Sequence, residues 1–526
     1  MEFVVHIQDQ ESLAMVLEQG AGAVAVRLPR NPEAGAWSEL SDWRGAAGQR
    51  GLKFYVIWDE LISERELPGV AAVLAGVSRL NPDGFKVRDL GLVREARRLY
   101  PHLPLVASGN WGAYNSPGVR LAESLGFSRV VLDGPVSLKD LALIRRQTAV
   151  PLEVTLPPFC QGYAGLCLLD ECLGLSCEAC CLFQEKSVTS RSLMEALEIF
   201  SALCQLGVEA VQIPGELFAP ASLAQVLRLF QSIVEASPVE RPRVLAAVKD
   251  LLGVFGEGLV RSQLHEATLS GYRKPVESPS RRSASRPEFP GLSRIWLEAR
   301  DYAEVLALSR EWREPLVISL TPDNYAAFLK EHRRWGPRKL IWRLPPAIRE
   351  SSLAFYQKAL ETLSQGGYSR FVAGDWGAVA LVRGVSGQVY GDQTLGVRNS
   401  WAVAAARELQ VARVCLPPGP RPERWLELLK AAPASSFWGY LYQITPLALC
   451  QGEVPSLLPQ KDLRWVPENG RAILTLKNPL DWRDRGKWFK QQGIFPLVVA
   501  LPHSPMPRGQ LPVWLKPRPR TAPTGK

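Results

Sequence analysis

The feature that most constrains the fold of this chain is the alternation of short apolar runs with amphipathic segments in its first half. Eight runs have the length and the Val, Ile and Leu content of strands buried on both faces. They are FVVHI (3–7), AVAVRL (23–28), KFYVIW (53–58), GFKVRD (84–89), LPLVAS (103–108), RVVLD (129–133), LEVTL (152–156) and AVQI (210–213). Segments such as LGLVREARRLY between them have helical spacing. Eight strand–helix units predict an α/β fold of the (β/α)8 TIM-barrel type. A doubly wound open sheet is the alternative, but no Gly-rich dinucleotide fingerprint follows the first strand.

The second half of the chain repeats the first at a nearly constant offset of about 285 residues. Aligned pairs are LKFYVIWDELISE (52–64) with RKLIWRLPPAIRE (338–350), GFKVRDLG (84–91) with SRFVAGDWG (369–377), and GAYNSPGVRLAESLGFSRVVL (112–132) with LGVRNSWAVAAARELQVARVCL (395–416). A steady offset over several elements indicates an internal duplication. We therefore predict a second, degenerate barrel-like α/β repeat.

The two copies are separated by GYRKPVESPSRRSASRPEFPG, a stretch rich in Ser, Pro and Arg. Such a composition has little to bury and is typical of a linker. The predicted domains are a barrel at 1–270, a linker at 271–291, a degenerate repeat at 292–505 and a basic, Pro-rich tail at 506–526.

The composition narrows the class of protein. With 46% hydrophobic and 22% charged residues, the chain is typical globular material. The sequence contains no apolar run of about 18 residues, so no transmembrane segment is predicted. The N-terminus lacks the basic flank and apolar stretch of a signal peptide. We therefore expect a cytoplasmic protein with reduced thiols. The net charge of +10 permits an RNA partner, although a mixed solvated surface is the preferred explanation of this charge.

Six of the nine cysteines lie in FCQGYAGLCLLDECLGLSCEACCLF, residues 159–183, directly after the seventh predicted strand. Loops that follow the strands form the functional face of a (β/α)8 barrel. Four thiolates around one centre suit either Zn²⁺ or an iron–sulfur cluster. A catalytic thiol and a set of buried, purely apolar cysteines are the alternatives. Outside this segment, Cys204 is expected on a helix packed into the barrel wall and Cys415 in a buried strand.

Motifs of hydrolytic enzymes are missing from the sequence. HEATL at 265–269 lacks the second histidine of a zinc-protease HExxH motif. No GxSxG elbow occurs, and five histidines do not yield a recognisable Ser/His/Asp set. The residues themselves therefore give little support to a peptidase.

Several of these motifs together resemble peptidase family U32, whose members have long been described as collagenase-like. They are ESLAMVLEQGAGAVAV, the DLG at 89–91, ASGNWGAYNS at 107–116 and FCQGYAGLC. The CEACC form is similar to small members that assist oxygen-independent ubiquinone hydroxylation, and the second half resembles the C-terminal repeat of longer members. Where the family has Lys-Ile-Glu-Gly-Arg, this chain has QIPGE at 212–216.

The resemblance implies a 4Fe–4S cluster held by Cys160, Cys167, Cys177 and Cys181. Zinc is the alternative, and Cys180 competes with Cys181 because CEAC offers the tighter CxxC loop that zinc prefers. It also implies hydroxylation of RNA or of a quinone precursor without molecular oxygen, with the oxygen drawn from a prephenate-like small acid. A peptidase, a cluster-bearing scaffold or electron carrier, and a non-catalytic partner of another U32-family chain stay open as alternatives.

Six side chains are candidates for binding the substrate at the barrel mouth: Arg27, Arg88, Asp89, Asn110, Asn115 and Tyr163. Strand alternation turns Arg27 and Arg88 towards the barrel interior, where a buried cation needs a counter-charge. That counter-charge is expected to be Asp59 or a bound acid. Tyr163 is placed to stack on a planar ring. We predict an anionic small-molecule pocket between the two arginines and the cluster, with an internal structural ion pair as the alternative.

Overall fold

The structure is a computed structural model of the 526-residue chain. It describes residues 1–30, 32–132, 136–156, 190–215, 218, 220–237, 239–247, 295–308, 312, 314–331, 336–417, 422–443, 446–451, 463–468, 471–476 and 479–501. Within these ranges, no helix combines the length and the apolar character that crossing a membrane requires.

The first eight strands close into one parallel barrel. They are β1 (Glu2–Ile7), β2 (Ala23–Arg27), β3 (Lys53–Trp58), β4 (Gly84–Val87), β5 (Leu105–Ala107), β6 (Arg129–Leu132), β7 (Leu152–Thr155) and β8 (Ala210–Ile213). The last strand closes on the first, with Phe3 opposite Val211. All eight predicted strands are confirmed, and their continuous apolar character follows from burial on both faces.

Helices cover the outside of this barrel. They are α1 (Gln10–Gln19), α2 (Ala34–Gln49), α3 (Leu67–Leu80), α4 (Leu90–Leu99), α5 (Ser116–Ser124), α6 (Leu138–Gln147), α7 (Ser190–Leu206) and α8 (Pro220–Glu235). The first of them illustrates the local signals. Asp9 accepts a hydrogen bond from the Ser12 amide at its start, and Gly20 ends it with a φ of 72°, where glycine avoids a side-chain clash.

Strand alternation separates an inner from an outer apolar layer. Inward-facing residues include Val4, Ala25, Ile57, Val106 and Val131. The alternate residues pack outwards against the helices; the Phe3 ring centroid, for example, lies 5.6 Å from that of Phe200. Cys204, on α7, packs half-buried against this outer layer, as predicted.

A second closed parallel barrel follows. Its strands are β9 (Ile295–Ala299), β10 (Leu316–Ser319), β11 (Leu340–Arg343), β12 (Arg370–Ala373), β13 (Gln388–Gly391), β14 (Val411–Cys415), β15 (Phe437–Gln443) and β20 (Leu497–Ala500). The ring closes because β15 pairs with both β14 and β20, and β20 pairs with β9. The predicted barrel-like repeat is thus confirmed.

Between the seventh and eighth strands of the second barrel, the chain forms a small separate sheet. It contains β16 (Pro446–Gln451), β17 (Leu463–Glu468) and β18 (Arg471–Leu476), all antiparallel, with β18 in the middle. The short β19 (Leu480–Asp481) then pairs with β15. In chain order this insertion takes the place of the cysteine-rich segment of the first copy.

The helices of the second barrel are α9 (Tyr302–Leu308), α10 (Pro322–Glu331), α11 (Leu353–Gln365), α12 (Trp376–Gly384), α13 (Ser400–Glu408), α14 (Pro422–Ala431) and α15 (Gly486–Gln491). Large rings fill the interior of this barrel, among them Trp296, Tyr390 and Trp438. Cys415 belongs to the same cluster and is 2% exposed, which confirms its predicted burial in a strand.

Candidate functional site

Five polar residues gather where strands β1 to β5 end, at the carboxyl-terminal mouth of the first barrel. They are His6, Arg27, Asp59, Arg88 and Ser108. Each stands two positions after an inward-facing strand residue, so its side chain is also directed inwards. The mouth is the end at which (β/α)8 barrels carry their active sites.

Asp59 is the counter-charge of this group. Its carboxylate forms an ion pair with Arg27. Burial alone would raise the pKa of the Asp59 carboxyl, but the charges of Arg27, Arg88 and His6 and the Arg27 hydrogen bond hold that pKa below its ordinary value. Asp59, one of the two expected counter-charges, thus pairs with Arg27, and Arg88 contributes only its charge.

Two other groups at the mouth are available to a ligand. Arg88 is half-buried and makes no hydrogen bond or salt bridge to any residue in the described ranges. Ser108 is 3% exposed, and its buried hydroxyl has no hydrogen-bond partner among the same residues. A buried hydroxyl without a partner is costly. A guanidinium and a hydroxyl of this kind can together bind an anionic group.

The stability contributed by Asp59 should depend on pH. Because its native pKa is depressed, the ionised carboxylate stabilises the fold above the pKa of the unfolded chain, about 3.9, and this stabilisation is lost as the pH falls through the native pKa. Asp59→Asn is therefore expected to lower the free energy of unfolding by about 1 kcal/mol near neutral pH and by much less in acid. Urea unfolding at both pH values measures the difference. A loss of equal size in acid would contradict the assignment.

Below the mouth, the barrel interior contains a buried ion pair that the sequence analysis did not single out. Lys86 on β4 is 1% exposed and Glu153 on β7 is fully buried, and the two form a salt bridge. The ammonium group also donates to Gln212 Oε1 at 2.7 Å. Burial lowers the pKa of Lys86 despite the attraction of Glu153. The sequence signal that could have revealed this pair is a charged residue at an inward-facing position, Lys86 in β4 and Glu153 in β7.

The network continues to the opposite end of the barrel. Arg129 Nη1 donates to Glu153 Oε2 at 3.2 Å and to Glu2 Oε1 at 3.0 Å. The Tyr55 hydroxyl also donates to Glu2, at 2.9 Å. These charges therefore compensate one another inside the barrel and form a floor of paired groups beneath the mouth.

The structure places three other candidate residues away from this group. Asp89 and Asn115 are fully buried N-caps of α4 and α5, and both contact the second barrel. Their polar side-chain atoms form hydrogen bonds with backbone amides of their own helices and with residues of the other barrel. The sequence did not predict the contacts with the other barrel. The backbone of Asn110 lies in the short 3-10 helix Gly109–Trp111, and its side chain is outside the described part.

The predicted cluster ligands Cys160, Cys167, Cys177 and Cys181 lie outside the described residues, as do Cys180 and Tyr163. In the part that the structure describes, no group of three or more His, Cys, Asp or Glu side chains is arranged to bind a metal ion. The ligand set therefore stays a prediction.

The corresponding mouth of the second barrel has a different arrangement. Arg343, at the end of β11, donates hydrogen bonds to Asp392 and to the Tyr440 hydroxyl, and to Glu298 Oε2 at 3.1 Å. Tyr440 in turn donates to Glu298 at 3.0 Å. Arg343 is thus surrounded by acceptors from its own barrel, unlike Arg88 in the first.

Comparison with known proteins gives two similar curated relatives, both called tRNA hydroxylation protein P. The proteins from Escherichia coli K12 and Haemophilus influenzae are each 30% identical to this chain over 122 residues. The match covers 23% of this chain and 27% and 26% of the two relatives. The chain thus spans about a quarter of the length of the relatives that it matches.

A solved U32 peptidase is 22% identical over 30% of this chain and 68% of its own, with a TM-score of 0.26, which is too low to establish a common structure. The family model for peptidase family U32 matches residues 9–252, a range that includes every strand of the first barrel after β1. Residues 9–252 of this chain are therefore similar to peptidase family U32.

Proposed function

We propose that this chain takes part in the hydroxylation of tRNA without molecular oxygen, and that its first barrel carries the chemistry. The observation that supports this most is the contrast between the two mouths. Arg88 and Ser108 have no hydrogen-bond partner among the described residues. Arg343 in the second barrel, in contrast, donates to Asp392, Glu298 and Tyr440. The names of the two relatives favour tRNA over a quinone precursor as the substrate. Such a protein acts in the cytoplasm, where tRNA is found.

Cys160, Cys167, Cys177 and Cys181 would hold a 4Fe–4S cluster at this mouth. Four thiolates are the donor set that such a cluster requires. Strand β7 ends at Thr155, at the mouth, and five residues of chain span at most about 18 Å, so Cys160 is within reach of it. When bound, the cluster would supply one-electron transfer.

The residues of the barrel would bind and orient a small acid that donates the oxygen. Arg88 provides a cation for a carboxylate, and Ser108 provides a hydrogen-bond donor beside it. Asp59 holds the Arg27 guanidinium, whose side chain is still 40% exposed and so offers surface to the same anion. The floor formed by Lys86 and Glu153 lies beneath these groups, and its charges are already paired with each other.

Arg88→Met separates this pocket from a purely structural role of the arginine. We expect the variant to lose binding of a prephenate-like acid, or turnover, by about tenfold to a hundredfold, because a charge-assisted hydrogen bond contributes about 1.5–3 kcal/mol. The free energy of unfolding should change little, since Arg88 has no described hydrogen bond to lose. Calorimetric titration with the acid and urea unfolding measure the two effects. Unfolding or loss of the cluster in this variant would support the structural role instead.

Two measurements on the whole protein test the proposed function. Protein purified without oxygen should contain about four iron and four sulfide per chain. Deleting the gene from its host should remove a nucleoside that is heavier than its parent by one oxygen atom from total tRNA, as measured by mass spectrometry, and restoring the gene should return it. Unchanged tRNA together with proteolysis of denatured collagen by the purified chain would favour the peptidase alternative.

A further inference from the structure

The two barrels contact each other through equivalent segments. Helix α4 packs against α13, and α5 packs against α12. Similarly, α6 packs against the 3-10 helix Glu350–Ser352, and α14 packs against the 3-10 helix Glu64–Glu66. In the sequence repeat, α4 corresponds to α12, α5 to α13 and α6 to α14. Each contact therefore occurs twice, with the roles of the two barrels exchanged.

Two equivalent asparagines make the central hydrogen bonds. Asn115 caps α5 by accepting from the Gly118 amide, and its Nδ2 donates across the contact to the Ile348 carbonyl at 2.9 Å. Asn399 caps α13 by accepting from the Ala402 amide, and its Nδ2 donates to the Ile62 carbonyl at 2.8 Å. Both asparagines are fully buried.

Two equivalent glutamates add to these bonds. The backbone amide and the hydroxyl of Ser116 donate to Glu350, at 2.6 and 2.8 Å. Those of Ser400 donate to Glu64, at 2.6 and 3.0 Å. In both cases a carboxylate of one barrel satisfies the free amides at the N-terminus of a helix in the other, where negative charge is favourable.

Two equivalent glycines allow this close approach. A Cβ on Gly91 would lie 2.5 Å from Asn399 Oδ1 and 2.6 Å from the Ala402 nitrogen. A Cβ on Gly377 would lie 2.4 Å from Asn115 Oδ1. Each barrel therefore contacts the other through an Asp-x-Gly segment (89–91 and 375–377) and an Asn-Ser segment (115–116 and 399–400).

In a twofold dimer the same surface patch is used by both subunits, so each residue contact occurs twice; such a contact is called isologous. The contact between the two barrels has this form, with equivalent residues in place of identical ones. We infer that this chain is a covalently fused dimer of barrels, and that the contact face of the first barrel is self-complementary and fits a second copy of the first barrel. In such a pair Asn115 meets Ile62, and Ser116 meets Glu64, so each donor keeps its acceptor.

The apolar part of the face is compatible with this pairing. Trp111 stacks on Trp376 across the contact, with ring centroids 5.7 Å apart. The position equivalent to Trp376 is Leu90, which is also apolar and 4% exposed. In the intact chain the linker keeps the second barrel at a high effective concentration, so the intramolecular contact is favoured.

The inference is tested in the full-length chain by blocking only the face of the second barrel. Gly377→Trp places a side chain against the buried Asn115 cap and should release the first barrel's face. Two chains then pair through it, so light scattering should give twice the parental mass, with an unchanged circular dichroism spectrum. Gly384→Trp is the matched control, because a Cβ there, on the same helix, meets nothing within 4 Å. This control should keep the parental mass.

A second substitution identifies the face. Adding Gly91→Trp to Gly377→Trp blocks both faces and should return the parental mass. A folded Gly377→Trp chain of parental mass would overturn the inference, and so would a doubled mass that persists in the double variant.

If Gly377→Trp fails to fold, Glu350→Lys decides the question. It removes the carboxylate that bonds to Ser116 in the intact chain, but leaves Glu64, which would bond to Ser116 in a pair of first barrels. It should double the mass in the same way, and a folded chain of parental mass would again overturn the inference.

Discussion

Serine at any one of Cys160, Cys167, Cys177 or Cys181 is expected to remove most of the iron from protein purified without oxygen. A 4Fe–4S cluster is held by four thiolates, and an alcohol is a poor substitute for any of them. We expect iron to fall from about four per chain to well below one, and tRNA hydroxylation in the host to be lost with it. Iron and sulfide assays and the electronic absorption spectrum measure the effect.

The chain offers two control substitutions for this experiment. Cys204 is half-buried on α7 and Cys415 lies in the packed interior of the second barrel, so serine at either position should leave the iron content unchanged. Zinc instead of iron in the parent would contradict the cluster. Loss of metal with Cys180→Ser, but not with Cys181→Ser, would assign the tighter CxxC pair as ligands.

The largest expected effect on stability comes from Glu153→Gln. This change leaves the Lys86 ammonium buried beside Arg129 without its carboxylate, and breaking a buried pair in this way costs about 3–5 kcal/mol. Lys86→Met should cost less, because Glu153 keeps the hydrogen bond from Arg129 at 3.2 Å. Lys53→Met is the control. Lys53 forms an ion pair with Glu2, but its side chain is 51% exposed, so we expect the free energy of unfolding to fall by less than about 1 kcal/mol.

The Glu153→Gln effect should also depend on pH. Burial already lowers the pKa of Lys86 in the native state. The unfolded chain therefore retains the proton to a higher pH than the native chain, and stability rises as the pH rises through the native pKa. Since removal of Glu153 lowers that pKa further, the destabilisation should be smaller near pH 10 than near neutral pH. Urea unfolding at the two pH values measures it, and a loss that grows in alkali would contradict the assignment.

The strands and the duplication could be predicted from local pattern. Each strand of a parallel barrel is buried on both faces, so it appears as a short Val, Ile and Leu run regardless of its neighbours. The offset of the repeat likewise predicted the second barrel. Alternation was also sufficient to direct Arg27 and Arg88 inwards, because the period of a strand is two.

Only the tertiary structure decided which charged groups pair. Lys86 and Glu153 are 67 residues apart and meet because barrel closure brings β4 and β7 to face each other across the interior. Their facing direction could be predicted, but not their distance.

Contacts between distant residues also explain why Asp89 and Asn115, in the Asp-x-Gly and Asn-Ser segments, were predicted to bind the substrate. The sequence placed Asp89 and Asn115 at strand ends, where substrate-binding residues are common. In the structure, Asn115 bonds to Ile348, 233 residues away, and Asp89 bonds to Asn399, 310 residues away. Local pattern determined the elements and their inward and outward faces. The packing of one barrel on the other determined which polar residues remain accessible to a ligand, because a contact between such distant residues leaves no periodic signal in the chain.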